Sequence, residues 1–199
     1  MPTTMPKPIV APPGAGLPPV EAFMSRYIIF PVASQLFPLE KAAPLLVQTG
    51  ETLLQHFNAL SPIQQQTPML IPRLMGLEDS SRHWSPQMVI EHLLITGEAM
   101  LVIATELANN QQPTTVVSTA TVKPQTTTPI TCVEAYKTWL HTYQTKVTTL
   151  LTLPKPALTT RTHPHPWFGE MTAKQWLVLN TMHHILHQRQ FNKIIAFGQ

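Results

Sequence analysis

Between two strongly apolar helical patterns the chain reads NNQQPTTVVSTATVKPQTTTPI, Asn109 to Ile130. It carries no helical period. Antiparallel neighbours in a helical bundle need only about 2–8 connecting residues. A connector of about twenty residues predicts a crossover, joining two helices that run the same way. Its Val and Thr content leaves room for a short strand.

Four helical patterns surround this connector. Upstream, WSPQMVIEHLL opens a helix with Ser85 as N-cap and Pro86 at the first helical position, running to about Asn109. Downstream, Val133, Tyr136, Leu140, Tyr143, Val147 and Leu150 alternate three and four apart, the seam of a helix from about Thr131 to Leu151. The first pattern runs from about Pro44 to Leu60, with Leu46, Gly50, Leu53 and Phe57 on one face. The last starts at Thr172, which has capping-box spacing to Gln175, and runs to about Ala196. The expected architecture is all-α: a four-helix bundle with one long crossover between helices two and three. Residues 1–37 read as a proline-rich segment, extended or partly disordered, because proline fixes φ and lacks the amide donor. Residues 38–199 form the bundle domain.

Composition narrows the function classes. The 199 residues carry a net charge of +3 and only 12% charged residues, with no Lys/Arg run, so no nucleic-acid footprint is visible. The single Cys132 rules out an internal disulfide framework and reads as a half-buried structural thiol. The N-terminus lacks the pattern of a signal peptide, and YIIFPVASQLF is too short to span a bilayer and contains Pro31. The expectation is a cytoplasmic protein that binds neither membrane nor nucleic acid, and a homodimer is compatible with it.

The fourth helix carries HHILHQRQ, His183 to Gln190. At about 100° per residue from Trp176, His183 falls near 340° and His187 near 20°, in the middle of the apolar face that Leu179 and Ile194 define. His184 falls near 80°, toward the edge, and reads as exposed. In the second helix His92 shares a face with Met88, Ala99 and Ile103. A buried imidazole needs partners for both nitrogens. One divalent ion would satisfy a nitrogen of each ring, and three nitrogens leave open positions for water or substrate. His92, His183 and His187 are therefore the candidate metal ligands. Two rivals stay open: a binding protein without turnover, and a histidine-rich core with no metal. The zincin motif is absent, because His184 stands where its glutamate base would be. A di-iron carboxylate site lacks its inward Glu sets. Gln190, near 320°, can hydrogen-bond to a ligand or to backbone. His163 and His165, in RTHPHPWFG, read as a rigid loop packing Trp167 and Phe168 on the bundle, with lining of the pocket mouth as the alternative. Tyr136 and Tyr143 read as core.

WSPQMVIEHL followed far downstream by HHILHQRQ resembles the DinB-like superfamily of metal-binding four-helix bundles. HPWFGEMTAKQW, His165 to Trp176, is similar to a segment of a DinB-related family of unsettled activity. The resemblance covers roughly residues 40–196. It implies an up-down-down-up bundle and a divalent metal, zinc or nickel, on His92, His183 and His187. It also implies thiol-dependent transferase or isomerase chemistry on a small-molecule substrate, with a low-molecular-weight thiol as partner. No catalytic residue beyond the ligands follows from it.

Overall fold

A computed structural model describes residues 10–115, 118, 121–124 and 131–198. Four long helices form the bundle: α3 (Leu39–Asn58), α5 (Pro86–Ala108), α6 (Thr131–Leu151) and α8 (Ala173–Phe197). Short elements fill the connections. They are α1 (Pro19–Met24), a π-helical turn Ser25–Ile29, α2 (Phe30–Leu36), α4 (Pro62–Gln66), a 3-10 turn Asp79–Ser81 and α7 (Lys155–Thr159). Among the described residues two small antiparallel ladders complete the set: β1 (Met69–Leu70) with β2 (His83–Trp84), and β3 (Thr162–His165) with β4 (Gly169–Thr172).

The helix starts follow the expected chemistry. Ser85 Oγ accepts from the Met88 amide at 3.2 Å, with Pro86 in the first turn of α5. Thr172 and Gln175 close a reciprocal capping box at the head of α8. The α6 seam buries the six expected residues and Trp139 as well. The first bundle helix departs from expectation. It starts at Leu39, and Pro44 lies inside it. Burial of Leu39, Ala42 and Ala43 extends the helix upstream, while Glu40, whose carbonyl loses its partner, faces solvent.

Helix directions can be read from residue pairs. Glu91 lies beside Cys132 and Gly97 against Trp139, so α5 and α6 advance together. His92 meets His183 and His187, while the Gly97 carbonyl accepts from Asn180, so α8 runs against α5. Thr181 meets both Ala42 and Tyr143, while Tyr136 meets both Gly50 and His184, so α3 runs with α8. The bundle is up-down-down-up. The described part of the crossover runs back along α5: the Thr115 carbonyl contacts His163, and the Val122 carbonyl contacts His92, near the start of α5. The described residues of this connector, 109–115, 118 and 121–124, form no strand; the rest of the segment in which a short strand was expected lies outside the described residues.

The expectation of an extended segment over residues 1–37 is corrected for Pro19–Leu36, which is helical. Pro19 and Pro31 sit in first-turn positions that tolerate the missing amide. Tertiary anchors hold the segment: Ala11 N–H donates to Asp79, Gly16 N–H to Glu78, Glu21 pairs with Arg73 and the Gly76 amide, and Phe30 packs on Phe168. The segment thereby straps from the 73–82 loop to the β3–β4 hairpin.

Gly97 sets the approach of α5 to α6. A Cβ there would lie 2.5 Å from the Trp139 ring. Alanine gains about 1 kcal/mol over glycine in a helix, but overpacking against a rigid ring costs about 1–3 kcal/mol. Gly97→Ala is therefore expected to lower stability in denaturant unfolding. An increase would show that α5 and α6 are not in contact there.

Candidate metal centre

His92, His183 and His187 converge. One ring nitrogen from each lies within 4.8 Å of the others, and among the described residues no further His, Cys, Asp or Glu joins them. The Nε2 of His183 is 3.3 Å from Nε2 of His92 and 3.1 Å from Nε2 of His187. Two helices supply the rings: α5 carries His92, and one turn of α8 carries the other two. Trp84, immediately before the α5 cap, stacks on His187 at 5.9 Å and tilts against His92 at 5.0 Å. The β1–β2 ladder, with Met69 opposite Trp84, fixes that indole.

The outer nitrogens define the tautomers. The Val122 carbonyl can only accept, so His92 Nδ1 donates to it, at 2.7 Å. Gln190 donates its amide N–H to the Ser81 carbonyl at 2.7 Å, so its oxygen accepts from His187 Nδ1 at 2.5 Å. Both rings therefore present bare Nε2 lone pairs, and both face His183. A single N–H on His183 Nε2 serves one of them and leaves the other without a donor. His183 Nδ1, moreover, is buried with no partner. A neutral cluster is one donor short, and burial opposes the charged form that would supply it. Burial, with the neighbouring histidines, holds His183 and His187 well below the ordinary imidazole range, and burial lowers His92 to about 4. A cation fits this arrangement. Nitrogens about 2.0–2.1 Å from a tetrahedral ion stand about 3.3–3.4 Å apart, close to the separations here. The Val122 carbonyl and Gln190 are the kind of outer partner that orients ligating imidazoles.

The centre opens onto a cavity of about 430 Å³. His183 is the partly exposed member of the three. Phe30, Phe168, Trp167, Leu179 and Leu186 line the apolar part, beneath the N-terminal strap.

His184 requires a correction. It is fully buried, not exposed. Its Nδ1 donates to the Asn180 carbonyl at 2.9 Å, and its ring stacks on Trp139 at 5.5 Å. Helix α8 is covered on most sides, so the edge of its apolar face is also interior. Gln190 lies where expected and bonds both His187 and backbone. His165 lines the cavity, and His163 is buried behind it against the Thr115 carbonyl. Tyr136 and Tyr143 are buried in the α6 seam and do not line the cavity. Burial and Glu91 push the Cys132 thiol up to about 11, which makes it a poor nucleophile. Sequence reasoning missed the Val122 carbonyl and Lys123. A backbone acceptor leaves no mark on residue identity, and a lone lysine in a loop carries no pattern.

No family model and no curated protein matches the chain. Among solved structures, the four-helix bundle protein TT2238 is similar, with a TM-score of 0.52 at 18% identity over 76% of this chain and 96% of that one. At that identity the likeness shows the fold alone. Fold and site define the class: a four-helix bundle with a buried three-histidine cluster facing a cavity. Among the described residues one helix is long and apolar enough to cross a membrane, α5; 61% of its apolar stretch is buried, and it carries His92 inside the bundle.

Proposed function

We propose that this protein is a metal-dependent enzyme of the DinB-like kind, in which His92, His183 and His187 hold a divalent ion, zinc or nickel. The observation that carries the reading is the convergence of three imidazole nitrogens with a missing donor at the wall of a cavity. The ion would supply Lewis-acid chemistry, lowering the pKa of a bound thiol or water to generate a nucleophile near neutral pH. The chain's own groups do the rest. Val122 and Gln190 fix two imidazoles as Nε2 ligands. Trp84 blocks their rotation. The apolar wall excludes water from the reacting atoms. Thiol transfer suits the site better than hydrolysis, because among the described residues no carboxylate joins the three histidines, and Glu78, the acidic side chain that lines the cavity, already accepts from the Gly16 amide and the Ser80 hydroxyl. A cytoplasmic setting, where low-molecular-weight thiols are kept reduced, goes with this reading.

Chelation tests it. The purified protein is expected to hold about one divalent ion per chain and to turn over thiol and electrophile pairs in a substrate screen. Removing the ion should abolish turnover and leave the bundle folded, because its core closes without the three histidines. Collapse of the fold on chelation, with no turnover of any pair, would instead make the ion structural and the protein non-catalytic.

A further inference from the structure

Lys123, His165, Glu78 and Arg189 are the charged or titratable side chains that line the cavity beside the triad; Arg189 is exposed, and Lys123 and His165 carry donors that the metal reading does not use. Lys123 lines it from the crossover, next to Val122, and is close enough to His92 to disfavour a charge on that ring. Its ammonium is half-buried, makes one 3.4 Å contact to the Ser80 carbonyl, and is in no ion pair among the described residues. Glu78 lies near it, but that carboxylate already accepts from the Gly16 amide and the Ser80 hydroxyl, both at 3.0 Å. From the hairpin, His165 lines the same cavity. The Trp167 amide donates to its Nδ1 at 3.1 Å, so in the neutral ring the proton sits on Nε2, and no described protein group accepts it. A half-buried ammonium and an unmatched N–H donor together suit a group with two acceptor oxygens and a negative charge. A thiolate offers only one acceptor atom. Most of the remaining wall is aromatic and aliphatic, including Phe30, Phe168, Trp176, Met100 and Leu179.

We infer that the cavity binds an amphiphilic carboxylate, its head between Lys123 and His165 beside the triad and its apolar tail under the N-terminal strap. The inference deepens the metal reading, but Lys123 and His165 are present whether or not an ion is bound. The probes are acetate, hexanoate and hexanol, titrated calorimetrically into full-length protein whose metal content is measured on the same sample. Hexanoate is expected to bind at least tenfold more tightly than acetate, since each buried methylene contributes roughly threefold to fourfold. It is also expected to exceed hexanol by tenfold or more. Lys123→Met and His165→Phe should each weaken hexanoate about tenfold and leave hexanol unchanged. Equal binding of acetate and hexanoate would mean generic carboxylate affinity and would overturn the inference. So would equal binding of hexanoate and hexanol, a comparison that needs no variant. A sample without metal would defeat the metal reading alone. The same titrations on it still decide whether the carboxylate is held.

Discussion

His187→Ala is expected to lower divalent-metal affinity by at least a hundredfold and to leave the bundle folded. The substitution removes one of only three protein ligands, and no other His, Cys, Asp or Glu among the described residues stands ready to replace it. It also frees the Gln190 oxygen, which then has water in the new space as a partner. A milder change should separate ligation from support. In Gln190→Leu all three ligands remain, but His187 Nδ1 loses its acceptor and the Ser81 carbonyl loses its donor. Loss of an outer partner of a metal-bound histidine typically costs about 10–100-fold in affinity. Competition titration with a chromophoric chelator measures both variants. Metal affinity unchanged in His187→Ala would remove the triad from consideration as a metal site.

The metal-free protein is expected to unfold as pH falls from about 6 toward 4. Burial holds His92, His165 and His184 at about 4, against an ordinary 6.5, and holds His183 and His187 lower still. Between those values the unfolded chain binds more protons than the folded one, so stability must drop as pH drops. The stabilising contribution is complete above about 6.5, where both states are neutral, and is lost on acidification toward the folded values. Each such histidine contributes a slope of about 1.4 kcal/mol per pH unit. Several together match a typical domain stability of about 5–15 kcal/mol within roughly two units. Circular dichroism at fixed temperature follows the transition. His184→Phe, which removes one titrating ring outside the triad, should reduce the proton uptake at the midpoint by about one. A metal-free bundle still folded at pH 4 would show that these rings are solvated and not buried.

Periodicity alone set out the bundle. Ser85, Pro86 and the Thr172–Gln175 pair signalled two helix starts, because capping chemistry is local and depends on residues within one turn. The spacing of Val133 to Leu150 gave the α6 seam for the same reason. The length of Asn109–Ile130 required parallel helices two and three, since a chain reversing at one end would not need so many residues. The apolar surroundings of His92, His183 and His187 in the sequence were enough to pick them as a set. Tertiary packing decided what local pattern cannot carry. Pro44 is tolerated inside α3 because residues upstream of it find a core. Pro19–Leu36 is helical because Glu21 and Phe30 meet partners far away in sequence. His184 reads as exposed on a helical wheel, yet it is fully buried, because α8 packs on several neighbours at once and its polar side chains, Thr181 among them, find backbone carbonyls there. The tautomers of the triad rest on a loop carbonyl and a glutamine brought in by the fold. Polar residues that are buried by satisfying one another are spelled the same as polar residues that face water, so only the three-dimensional contacts tell them apart.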